Sequence, residues 1–412
     1  THLNNLAGLL AVTHHPAEAL ELMREAAEVE NRIITRVFAA SSDRDRLHHL
    51  QTIRYNFEGL LSLVWQYLPN SPDAVQIALD VTLRRKSLTA SALATFNYAL
   101  YSDRYPNLTP EFEQWRTLRA EIVHLIFSPP LPNPNLTSAE FAAQQATHKQ
   151  RLSDLEAKCD KLEKRLASQV PELELLQAKC DRQTVAAELP KGSVLIEFVC
   201  FDVFDFNAPK SQKWQPARYA AFVLPTQQEK AVKRMIDLGP AAEINDLIRE
   251  FRQASASPKL TDLGARSKKQ KTTEIQLKSY IVSGIKLRQA IYDPIRTEIG
   301  EFQHLILAPD GDLNLVPFHT LPLDETGNTL LMDKYQISYL SSGRDILRGK
   351  MRSKRQAAKA LIIADPNFDL GAEVATDLSL ENLTSPPTPP LQGEGSKSNS
   401  PPFPCREGGQ GG

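Results

Sequence analysis

Cysteine is scarce in this chain and never closely paired. Cys159, Cys180, Cys200 and Cys405 are the only four in 412 residues, and no two form a C-x-x-C unit. Neither a disulfide framework nor a zinc site is indicated, and a reducing cytosol fits this usage. No apolar run approaches the ~20 residues that cross a bilayer, and the start lacks the charged-then-apolar pattern of a secretory leader, so no membrane contact is expected. An excess of either charge is missing too: 48 Lys and Arg face 49 Asp and Glu, for a net charge of -1. No whole-molecule field therefore draws the chain to nucleic acid. What the sequence does have is length and apolar content, 42% hydrophobic over 412 residues, enough for two or three ordinary cores in a multidomain chain.

The first half reads as helices. Leu3, Leu6, Ala7 and Leu10 fall at helical spacing, His14-His15-Pro16 breaks the pattern, and Ala19, Leu22, Met23 and Ala26 resume it. Thr1 already stands inside that pattern, which implies a natural start further upstream. Residues 31–136 continue as amphipathic helices punctuated by Pro69, Pro72, Pro106 and Pro110. After Pro110, Phe112, Trp115, Leu118, Ile122 and Leu125 make one apolar stripe, so Trp115 reads as core. Leu152, Leu155, Cys159, Leu162 and Leu166 alternate steps of three and four, Val170-Pro171 interrupts, and Leu173, Leu176 and Cys180 restart the spacing. A helical hairpin or short coiled coil over 137–188 is expected, packed on its own protein.

At Leu189-Pro190-Lys191-Gly192 the period becomes strand-like. Val194, Ile196 and Phe198, then Arg218 to Leu224, then Met235, Ile236 and Leu238 predict an antiparallel meander. Pro240 opens a helix with Ile244, Leu247, Ile248 and Phe251 on one face. A loop from Ala254 to Lys271, basic toward its end, is expected next, then a helix with Ile281, Ile285, Ile291 and Ile295. Leu305-Ile306-Leu307-Ala308 reads as a strand closed by the turn Pro309-Asp310-Gly311. A second strand is expected directly after it, through Leu313, Leu315 and Val316-Pro317-Phe318, with Tyr335, Ile337 and Tyr339 alternating as a half-buried strand. Ser341-Ser342 caps a short helix with Ile346 and Leu347. Lys350 to Lys359 is a second basic connector, and Leu361 to Ala364 reads as a central strand of a parallel sheet. From Thr384 the sequence is Pro- and Gly-rich with almost no aliphatics, so disorder is expected.

The runs "LILAPDGDLNLVPFHTL", "DKYQISYLSSGRDIL" and "ALIIADPNFD", taken in order, resemble the CHAT domain, a caspase-like module that bacteria attach to tetratricopeptide (TPR) helices. "LPKGSVLIEFVCFDVFDF", "KWQPARYAAFV" and "MIDLGPAAEINDLIREFR" resemble the part of such proteins just upstream, and "LNNLAGLL" with "PAEALELMREA" looks like the end of one TPR unit. The resemblance implies an α plus α/β fold divided as follows: a partial TPR-like pair over 1–30, helices over 31–136, the hairpin over 137–188, a pseudo-protease-like α/β half over 189–349, the start of a caspase-like half over 350–383, and a tail over 384–412.

The resemblance implies a family of cysteine peptidases whose His follows one strand and whose nucleophilic Cys ends the next, both beyond the "ADP" strand. In this chain no His follows His319, and Cys405 alone follows it among the cysteines, so no family catalytic position can be carried over. The reading is therefore a fragment truncated before its catalytic pair. It is expected to act as a scaffold that engages a protein partner through its helices, with no catalytic residue, cofactor or metal assigned and no expectation about oligomeric state. Two alternatives stand beside it: a cysteine endopeptidase completed by a missing C-terminal segment, and a nucleic-acid-regulated module acting through Arg266 to Lys271 and Lys350 to Arg355. Cys200 with His319 is a candidate dyad across two predicted strands. His14-His15 and His48-His49 point ~100° apart on helices and cannot share a metal as an i,i+4 pair does. Asp202, Asp205 and Asp310 read as scattered loop acids.

Overall fold

The computed structural model describes residues 2–101, 105–131, 136–170, 180–226, 232, 234–255 and 266–350. By packing, the chain divides into Thr1–Gln356 and Ala357–Gly412. The expected strand Leu361 to Ala364, most of the second basic connector, the hairpin's second arm over 171–179 and the Pro/Gly-rich tail lie outside the described residues.

Local chemistry sets where the helices start. α1 (His2–Val12) ends in a turn where His14 takes a positive φ of 64°, and Pro16 then opens α2 (Pro16–Ala40) at a position whose N–H has no helical partner anyway. Ser42 and Ser71 cap α3 (Asp43–Tyr67) and α4 (Pro72–Arg85) by accepting from Asp45 N and Ala74 N. α5 (Leu88–Tyr101) and α6 (Thr109–Phe127) follow, and α7 (Ser138–Ala167) begins in a reciprocal capping box between Thr137 and Glu140. The heptad-like stripe of α7 buries Leu155, and its Cys159, Leu162 and Leu166 share a core with Phe112 and Trp115 of α6 and Ile34 and Phe38 of α2. That seam is spent on the protein's own helices. Asp181 caps the short α8 (Arg182–Glu188).

The sheet has five strands in the order β3-β2-β1-β4-β5. β1 (Ser193–Phe204), β2 (Trp214–Pro225) and β3 (Ile236–Pro240) form the antiparallel meander, while β4 (His304–Ala308) and β5 (Gln336–Tyr339) lie parallel to β1 and to each other. β1 is apolar at nearly every position because both faces are covered. Leu195, Val199 and Phe201 point into a core shared with α1, α3 and α4. Val194, Ile196 and Phe198 point the other way, to α9 (Ala241–Ser255) and α10 (Arg266–Ile291). The change of period at residue 189 thus marks a change of element type, and packing crosses it without a break. A mixed sheet between two helical layers is an α plus α/β architecture.

Two sequence expectations are corrected. Residues 311–320 form no strand after β4; they make 3-10 turns at Gly311–Leu315 and Phe318–Thr320. Pro309 and Pro317 remove two donors that a ladder needs. Gly311 also takes φ 53°, and a Cβ there would meet the Tyr219 hydroxyl at 2.6 Å. The basic run Arg266 to Lys271 is not loop either, since it forms the first turns of α10. After α11 (Arg296–Ile299) and α12 (Leu331–Lys334), the short helix beyond Ser342 is 3-10, Gly343–Lys350.

Candidate functional site

In an open sheet with parallel strands, ligands bind outside the carboxyl ends of those strands. Here that end is the meeting of Glu197 on β1, Ala308 on β4 and the Ser341-Ser342-Gly343 step after β5. Register pairs Glu197 with Ala308, and the Leu340 N–H donates to the Leu307 carbonyl at 2.8 Å. The crevice is filled from the helical layer. Lys86, in the link between α4 and α5, sends its ammonium between the strands, 2.9 Å from Glu197 Oε1, and donates to the carbonyls of Phe198 at 2.8 Å and Ala308 at 2.6 Å.

Further contacts close this junction. The other Glu197 oxygen accepts from the Gly343 N–H at 2.7 Å. The next side chain, Arg344, is 2% exposed and donates to the carbonyls of Lys86 at 2.6 Å and Arg84 at 3.0 Å. Glu197 is fully buried. Burial pushes its carboxyl up from the ordinary range, while Lys86 and the Gly343 N–H pull it down. Gly343 has no room for a side chain, since a Cβ would sit 2.9 Å from Glu197 Oε2 and from Leu83, with Leu195 nearer still. Gly343→Ala should therefore cost about 1–3 kcal/mol through overpacking, read as a lower midpoint in urea at unchanged slope.

The residues singled out from sequence take other places. Cys200 sits opposite Tyr219 in the β1–β2 ladder, and its N–H donates to Asp310 Oδ2 at 2.8 Å, so Asp310 ties the turn after β4 back to β1. Phe198 and Phe318 meet with ring centroids 5.5 Å apart, which puts Cys200 and the His319 turn on one sheet face. The His319 ring, however, lies 3.4 Å from the Tyr339 hydroxyl, in an open cavity of about 520 Å³ whose other walls include Arg252, Asn314 and Pro317. Asp202 lies 3.8 Å from Arg54, and its N–H donates to buried Glu58. Asp205 accepts from the N–H groups of Asn207 and Ala208, closing the hairpin loop. His15 pairs with Glu18 at 2.9 Å. Burial and nearby Arg85 hold the His49 imidazole below its usual range. Among the described residues no cluster of His, Cys, Asp and Glu has metal-binding form, and no helix is long and apolar enough to cross a membrane. Cys405 lies outside the described residues.

Sequence reasoning missed Lys86, Glu197 and Arg344. The available signal was Glu197 itself, a lone acid in "SVLIEFVCF", where a strand covered on both faces has no place for an unpaired charge.

A helix-clad mixed sheet whose parallel crevice is filled by an internal ion pair defines an α/β module with its helical layer built in. The family model of the CHAT domain matches residues 282–396, so the chain carries a stretch that belongs with the CHAT domain. That match sets it in a caspase-like family context. A search of curated proteins found no match, nor did a search of solved structures.

Proposed function

We propose that residues 1–350 act as a non-catalytic scaffold: the supporting half of a caspase-like CHAT module, fused to helices that present a surface to a protein partner. The observation that carries this reading is the occupied crevice. Lys86, Glu197, Gly343 and Arg344 fill with internal bonds the place where a parallel sheet would otherwise receive a ligand. Two of the cysteines are poor nucleophiles. A nucleophilic Cys works as thiolate, yet burial, with Glu163 adding to it at Cys159, pushes the thiols of Cys159 and Cys180 up to about 12.

Alkylation of the native protein with iodoacetamide should therefore leave Cys159 and Cys180 unmodified by mass spectrometry, with both reacting once urea unfolds the chain. The scaffold reading itself is tested with a thiol-directed activity probe and fluorogenic peptides. The expected result is no turnover. Probe labelling of Cys200 or Cys405 that a peptide substrate competes away would sink the reading and establish the endopeptidase in its place.

A further inference from the structure

We infer that the outer face of the α6–α7 hairpin is a self-association surface, covered in solution by the same face of a second copy of this chain. The inference goes beyond the scaffold reading and does not depend on it.

The hairpin forms an arm. Residues 116–127 of α6 and 138–154 of α7 include no buried residue among those described. These stretches run about 18 Å and 26 Å along their axes. Leu118 and Ile122 pack against the core that α6 shares with α2 and α7, so one stripe of α6 is used within the protein. A second stripe is not. Val123, Ile126 and Phe127 follow at helical spacing and are 51%, 52% and 82% exposed, and Leu131, just past the helix, is 76% exposed. Single exposed apolar residues are ordinary, whereas four within nine positions make a patch of the kind that interfaces use.

Charge selects the occupant. Between Glu121 and Lys149 the only Asp, Glu, Lys or Arg is Glu140, in a chain that is 24% charged. The Glu140 carboxylate is turned onto the N–H and hydroxyl of Thr137 in the capping box. Helices that lie on anionic membranes surround their apolar face with Lys and Arg, and this stretch has neither. A charged protein surface would lose its hydration here and gain no ion pair. A neutral face meets its own copy without like-charge repulsion, and a two-fold axis sets each stripe against the same stripe.

Area fits the same occupant. A standard interface takes about 800 Å² from each partner, and about 65% of a homodimer interface is apolar, which asks for roughly 500 Å² of apolar surface per copy. The four side chains at these exposures offer on the order of 400 Å². Ala142, Ala143 and Ala146 of α7, all exposed, add to it and are small enough for another helix to come close.

The test is analytical ultracentrifugation of the full chain from ~0.1 to ~100 μM. A monomer of 46.0 kDa should give way to twice that mass, with a Kd of roughly 1–10 μM. Phe127→Glu should weaken association about 100-fold or more, with Tm unchanged at concentrations where both proteins are monomers. Leu9→Glu, on the exposed face of α1, should leave the dimer intact. Monomer at every concentration, or a dimer that Phe127→Glu does not disturb, would overturn the inference. Association lost in Leu9→Glu and kept in Phe127→Glu would overturn it in favour of α1. A monomer that sediments with phosphatidylcholine vesicles, and no longer does so as Phe127→Glu, would overturn it in favour of a lipid surface. None of these outcomes touches the scaffold reading, and turnover of a peptide would sink that reading and leave the dimer surface standing.

Discussion

Lys86→Met should destabilise the protein by about 3–5 kcal/mol at neutral pH, the cost of leaving a buried charge without its partner. Against a typical total of roughly 5–15 kcal/mol, that removes much of the stability. The variant strands Glu197, which is fully buried and keeps, among the described residues, the Gly343 N–H as its strong partner. Burial already raises the Glu197 carboxyl, and Lys86 is the main force opposing that rise. A carboxyl whose folded pKa exceeds its unfolded value, ~4.3 for Glu, contributes stability below the unfolded value and loses it as pH rises through the folded one. With Lys86 gone the folded pKa climbs further. The penalty should therefore be smallest near pH 4 and grow toward pH 8, as measured by urea denaturation at each pH. Adding Glu197→Leu removes the stranded charge, so the double variant should recover part of the loss and show a coupling energy of about 1–3 kcal/mol. Strict additivity would mean that the pair does not act as one unit.

Glu163→Ala should cost about 2–4 kcal/mol by the same urea measurement, through hydrogen bonds rather than charge burial alone. Glu163 on α7 is 4% exposed; its oxygens accept from the Trp115 indole at 2.8 Å and from the Asp43 N–H at 2.9 Å, with Arg119 at 3.4 Å. The Asp43 N–H belongs to the first turn of α3, where no intrahelical acceptor exists and a carboxylate also meets the positive end of the helix. One side chain thus joins α3, α6 and α7. Glu163→Gln keeps the shape and one acceptor, so its cost should be about half. Trp115 fluorescence should respond in both variants, since the indole loses or weakens its acceptor.

Much of this architecture was legible in the sequence, for identifiable reasons. The alternation from Val194 and the "LILAPDG" run each obey one local rule, and both became strands. The stripe on α6 and the 3-4 spacing on α7 likewise needed only periodicity. What escaped was set by partners far along the chain. Lys86 stands 111 residues before Glu197 and reads locally as one more surface lysine after Arg84-Arg85. Gly343 and Arg344 look like turn chemistry until Leu195 and the Arg84 carbonyl are seen beside them. The 3-10 turns at 311–320 escaped because Leu313, Val316 and Phe318 are buried as strand residues would be, yet they reach the core from turns. The occupied crevice follows from no single stretch.

The account stands on the helical layer and the five-stranded sheet forming one cooperative body, clamped at Lys86. Native-state hydrogen exchange across a urea series tests that directly, by comparing amides of Val75–Leu83 in α4 with those of Leu305–Leu307 in β4. Both sets should open with the same free energy and the same urea dependence. Exchange in α4 through a separate, lower-energy opening while β4 stays protected would contradict it.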